Sequence, residues 1–230
     1  MKTTALFTGL VLFAGSLLAA DPKDEAAAAA KKLGEKPNYS WKTTVVVPEG
    51  SQFRPGPTEG QTEKDGVTHL KMSFGDNTTE AFIKGEKGAV TNPEGGWQSL
   101  AELSDAEGPR RFLAMMIRNF KTPSVQATEL ASGAKDLKKD GDAYAGDLNE
   151  ETAKNLLRFR RGGDATASNA KGSVKFWLKD GALSKYQFKV TGTVSFNGND
   201  RDVDRTTTTE IKDVGTTKIE VPADAKKKLS

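Results

Sequence analysis

The chain has no cysteine and a single histidine, His69. Without cysteine there are no disulfide staples and no thiolate metal centres, so the fold must be held by its own packing. With one histidine, a Ser-His-Asp triad and a multi-histidine metal site are excluded. Charge of one sign is also lacking: 34 basic residues stand against 31 acidic ones, a balance that argues against nucleic acid as a partner. Beyond the first twenty residues, no apolar run approaches the roughly 20 that a membrane helix needs, so the chain is not expected to span a membrane. No glycine-rich phosphate loop, nucleophile elbow or paired-thiol motif is present. These absences leave no catalytic residue, metal or cofactor to name. Chance carboxylate pairs remain, but the chain is expected not to be an enzyme.

What is present begins with Lys2, an apolar stretch over residues 5–13 and small residues to Ala20. This predicts a secretory signal peptide over residues 1–20 and a product exported to the periplasm or medium of a bacterium. Leu18-Ala19-Ala20 matches the tripeptide before a lipidated cysteine, but position 21 is Asp, so no lipid anchor is expected. Asp21 and Pro22 start a helix, alanines 26–30 carry it, and Gly34 stops it. Its faces are barely hydrophobic, which predicts weak docking, and residues 21–37 are read as a lead-in. Residues 38–230 are read as one domain.

Period-two alternation dominates that domain. Tyr39, Trp41, Thr43, Val45 and Val47 predict a first strand, and Leu70, Met72 and Phe74 the inner face of another. His69 falls on the opposite, exposed face. Residues 48–65 carry three prolines without periodicity and read as a long surface loop. The clearest alternation is Tyr186, Phe188, Val190, Gly192, Val194 and Phe196, with polar residues between. At strand rise these eleven residues span about 36 Å, roughly twice the usual strand. Such a strand belongs to a large coiled sheet whose concave apolar face has to be covered. Val174, Phe176 and Leu178 precede it; a threonine-rich strand over residues 203–214 follows; Ile219 and Val221 are read as closing the sheet.

Helices supply the cover. Ser104 with Glu107 reads as a capping box, and Pro109 as the first turn of a helix reaching Phe120. Phe112, Met115, Met116 and Phe120 form its apolar stripe, widened by Leu113 and Ile117. Residues 124–138 predict a short helical turn and a strand, and Asn149 caps a further helix that Gly162 and Gly163 end. The basic clusters at Arg158, Arg160 and Arg161 and at Lys226, Lys227 and Lys228 read as solvated helix ends. Asp200, Asp202 and Asp204 begin like a calcium loop, but Arg205 and Ile211 occupy the required glycine and glutamate positions, so they read as a polar hairpin.

The order and phrasing of these segments carry a resemblance. They include the leading helix, the tryptophan-bearing first strand, the mid-chain helix, and the phrase Tyr144-Ala145-Gly146-Asp147-Leu148 with its helix. The strand from Val174 to the Asp180-Gly181 turn and the close from Gly215 to Pro222 complete it. The chain resembles the LolA/LolB and LppX/LprG-like group of exported lipid and lipoprotein carriers. The resemblance implies an α+β fold, a large curved antiparallel half-barrel with helices covering the concave face. Relatives hold acyl chains between the two. No ligand residue is transferred from them.

Two functional expectations stand side by side. One is a carrier or binder of a lipid-like or amphipathic ligand, held between Phe112, Met115, Met116 and Phe120 of the helix and Tyr186, Phe188 and Val190 of the sheet. The other is an envelope protein with a filled core that acts on a protein partner through its surface. The volume between sheet and helix separates them.

Overall fold

The structure, a computed structural model, describes residues 21–51, 54–158, 165–196 and 198–230. The expected signal segment lies outside the described residues, as do Arg160, Arg161, Gly162, Gly163 and Asn197 and the side chain of Phe74. Helix α1 (Pro22–Gly34) leads into β1 (Asn38–Val46), from which a meander runs outward. Its strands are β2 (Thr58–Glu63), β3 (Thr68–Phe74), β4 (Asn77–Lys84), β5 (Lys87–Thr91) and β6 (Trp97–Ser99). Three helices then carry the chain across: α2 (Leu100–Ser104), α3 (Pro109–Arg118) and α4 (Pro123–Gly133). The return passes through β7 (Ala134–Asp140), β8 (Ala143–Leu148), α5 (Glu150–Arg158), β9 (Thr166–Lys179), β10 (Ala182–Phe196) and β11 (Asn199–Lys212), before α6 (Ala223–Lys228).

All eleven strands join one open sheet in the order β6-β5-β4-β3-β2-β1-β11-β10-β9-β8-β7. Every ladder is antiparallel, and the two meanders meet where β1 pairs with β11, Trp41 opposite Ile211 and Val45 opposite Thr207. The expected α+β half-barrel is the architecture observed. The expected length of the central strands also holds, since β9, β10 and β11 have 14, 15 and 14 residues. Tyr186, Phe188, Val190 and Val194 are all buried on the concave face, as their spacing requires.

Several local expectations are corrected. Helix α1 docks firmly, because its face is alanine rather than absent: Ala26 and Ala30 meet Ala127 and Ala131 of α4 in the core, all fully buried. Small side chains let two helix backbones approach closely, so shape replaces bulk. Asp21 Oδ1 caps α1 by accepting from the Lys23 N–H at 2.8 Å, and Lys23 Nζ donates to the Ala134 carbonyl at 3.0 Å. Residues 58–63 of the expected loop are strand β2, paired to both β1 and β3. The capping box is Ser99 with Glu102, at the start of α2. Ser104 sits at the end of that helix, and its hydroxyl donates back to the Leu100 carbonyl at 2.7 Å. Residues 123–133 form a full helix of eleven residues, longer than the expected turn.

Ile219 and Val221 belong to no strand. They cross the convex face and, with Ala225 of α6, pack on Phe82 and Trp97 in a separate small cluster. His69 joins that face half-buried rather than exposed, its ring stacked on Phe82 at 4.3 Å. Its Nε2 lies 3.0 Å from the Glu80 carboxylate.

Candidate functional site

A cavity of about 1460 Å³ lies between the concave face and the helices, partly open to solvent. The sheet supplies its floor. In β1 the alternation of Trp41, Thr43 and Val45 points into it, continued by Val47, while Leu70 and Met72 of β3 extend the apolar surface. Tyr186 and Phe188 of β10 and Thr207 of β11 complete the centre. The Trp41 ring has room to lie flat because β2 places Gly60 beneath it: a Cβ there would stand 2.1 Å from Trp41 Cζ2.

Three helices form the roof. From α3 and the residues after it come Phe112, Met116, Ile117 and Phe120; from α4, Gln126, Glu129 and Leu130; from α5, Thr152, Asn155 and Leu156. Phe120 stacks on Trp41, with ring centroids 6.0 Å apart and planes at 14°. Of the segment 48–65 read from sequence as a surface loop, Pro48, Ser51, Pro55 and Gly56 line the cavity.

Five of the seven candidate residues therefore line one space: Phe112, Met116, Phe120, Tyr186 and Phe188. Two do not. Val190 is buried in a satellite cluster with Ala153 and Leu157 of α5, which fills the sheet at that point. Met115 is turned away because α3 buries Ala114 and Ile117, which rotates the stripe toward Leu113. Phe112 stands 42% exposed at the edge of the cavity.

The lining of the cavity mixes apolar and polar groups. Tyr186 is fully buried, donates to Gln126 Oε1 at 2.7 Å, and burial pushes its phenol far above its ordinary range. Thr43 and Thr209 share a 2.9 Å hydrogen bond in the floor. Lys121 Nζ pairs with Glu129 at 2.6 Å across the roof. Arg205 also lines the space, its guanidinium donating to the Leu156 carbonyl at 2.5 Å. Tyr186 and Thr43 were legible from strand alternation, whereas Gln126, Lys121, Glu129 and Arg205 were missed because helix α4 is longer than the short turn expected there and charged residues carry no hydrophobic signal. The alternation of β1 already pointed to Trp41, Thr43 and Val45.

Asp200, Asp202 and Asp204 lie along β11 and face β10. Asp202 accepts from Thr193 at 2.8 Å, and Asp204 lies 3.3 Å from Lys189 Nζ. The sequence that mimics a calcium loop is thus extended strand. Among the described residues, no three His, Cys, Asp or Glu side chains gather as a metal site. No described helix is long and apolar enough to cross a membrane.

No family model matches the chain, and no curated protein matches its sequence. Solved structures do match. LprF from Mycobacterium bovis aligns over 89% of this chain and 97% of its own at a TM-score of 0.50 and 10% identity. Lipoprotein LppX from Mycobacterium tuberculosis aligns over 87% and 99% at a TM-score of 0.49 and 12% identity. Likeness at this identity is one of fold, and the chain has the curved half-barrel fold of the LppX/LprG-like group expected from the order of its elements.

Proposed function

We propose that this protein is an exported carrier or binding protein for a lipid-like, amphipathic ligand, held in the cavity between the curved sheet and helices α3, α4 and α5. The observation that carries this reading is the cavity itself. Its volume of about 1460 Å³ exceeds the roughly 300–1,000 Å³ usual for small-molecule sites. A filled core would leave no such space.

The mixed lining supports an amphipathic occupant. An acyl-like portion would lie on Trp41, Leu70, Met72, Met116, Phe120 and Phe188. Each buried methylene would contribute about 0.8 kcal/mol. A polar portion would meet Gln126, Asn155 and the rim near Arg205. Helix α3 makes its main packing contact with α2, which suits it to move as a lid during uptake and release.

Native mass spectrometry of the protein purified from its own envelope tests the proposal. The expected result is a mass above that of the polypeptide, with a lipid recovered on organic extraction. A bare polypeptide mass and an empty extract would favour the filled-core, surface-acting alternative.

A further inference from the structure

We propose that the outer face of α3 docks reversibly on an anionic phospholipid bilayer. Between Glu107 and Glu129 the chain has no acidic residue but four basic ones: Arg110, Arg111, Arg118 and Lys121. In a chain whose charges otherwise nearly cancel, this is a local excess of one sign. Arg110 is engaged with Gln98, and Lys121 with Glu129. Arg111 and Arg118 are exposed and have no hydrogen bond or ion pair among the described residues.

Their spacing places these two on one face. Arg111, Met115 and Arg118 fall at i, i+4 and i+7, so the half-buried Met115 lies between the two guanidinium groups. The core side of the helix is Ala114 and Ile117, so this outer stripe is not required by packing. Phe112 flanks it, 42% exposed, at the edge of the cavity. A cationic face carrying one aromatic and one thioether side chain is the composition of a helix that lies in a bilayer interface. The guanidinium groups meet lipid phosphates, and the phenyl ring enters the acyl boundary.

A protein partner fits less well. A helix of ten residues is about 15 Å long, and one face of it falls well short of the roughly 1,200 Å² buried in stable interfaces. Paired with surface charge, the same face suffices for reversible binding to a membrane. The docking rests on the carrier reading only in bringing Phe112, which is exposed and lines the cavity, to the lipid surface, and it depends only on the helix surface for its test.

The test is co-sedimentation of the purified full chain with phosphatidylcholine vesicles, with or without phosphatidylglycerol. Binding is expected to the anionic vesicles only, with release as salt is raised. Arg111→Gln/Arg118→Gln should weaken it on the order of 30-fold, about fivefold per arginine, and Phe112→Ser should weaken it further. Lys226→Gln/Lys227→Gln removes the same charge from α6 on the opposite face of the sheet and should leave binding intact. The chains compared are identical elsewhere, so the first twenty residues cancel. Absence of wild-type binding, equal loss in both double variants, or full binding by the arginine variant would each overturn the proposal. Uptake of a fluorescent fatty acid supplied free in solution reads the cavity separately. Uptake without vesicle binding overturns docking alone; arginine-dependent vesicle binding without uptake supports docking and sinks the carrier reading alone.

Discussion

Trp41 on the sheet and Phe120 just beyond α3 stack nearly in parallel, 6.0 Å between ring centroids. This contact fastens the end of the lid helix to the cavity floor. Phe120→Ala should therefore destabilise the protein by about 2 kcal/mol, from lost stacking and partial burial. Phe120→Leu should cost less. Urea unfolding would measure both, and equal stability of all three chains would show that the stack does not hold the helix.

Gly60→Ala should be more damaging than its single methyl implies. The added Cβ would stand 2.1 Å from Trp41 Cζ2, and the ring cannot yield without disturbing both Tyr39 and Phe120. Overpacking of this kind costs about 1–3 kcal/mol. A lowered thermal midpoint with altered tryptophan fluorescence is the expected signature.

Met116→Glu should abolish uptake of a fluorescent fatty acid while leaving the fold intact, since Met116 is only half-buried and lines the cavity. Met115→Glu should have little effect on uptake, because that side chain does not line the space. Equal behaviour of the two variants would contradict the orientation of α3.

The acid limb of stability should carry a mark of Glu102. The Ser99 backbone N–H, first, and the Lys228 ammonium hold its carboxyl at about 2 instead of 4.5. A depressed folded value means the contribution is complete above pH 4.5 and fades as pH falls toward 2. The stability difference between wild type and Glu102→Ala should shrink across that window; a difference constant with pH would refute the linkage.

At the alkaline end Tyr186 takes over. Burial raises its phenol above the ordinary 10, so stability is complete below that pH and declines above it as the unfolded chain ionises. Ultraviolet titration should show the Tyr186 phenolate only as the protein unfolds. Tyr186→Phe should lose about 1 kcal/mol near neutrality with the Gln126 hydrogen bond, and then decline less steeply above pH 10.

How far all this was legible depended on side-chain size. The alternation from Tyr186 to Phe196 revealed the long strand, and that of Trp41, Thr43 and Val45 the floor beside it. Strand β2 was invisible because Thr-Glu-Gly-Gln-Thr-Glu holds no apolar residue; its place is set by the ladders on either side and by the ring above Gly60. Helices α1 and α4 were underestimated because alanine adds little to an amphipathic pattern, yet Ala30 and Ala127 are fully buried. The stripe on α3 was drawn through its largest residues, whereas the side buried in the core carries the smaller Ala114 and Ile117. Ile219 and Val221 alternate like a strand because any extended segment lying on an apolar face does so.

The pairing of β1 with β11 joins residues 40 and 212 at the middle of the sheet, and α6 packs against β5 and β6 at the outer end of the first meander. Neither meander can complete its central ladder until the other has arrived. Contacts so distant in sequence make for slow folding, and a chain truncated before β11 would leave β1 as an unpaired edge. The sheet thus remains unfinished until β11 arrives, so its two meanders are coupled into one cooperative unit rather than two separable halves.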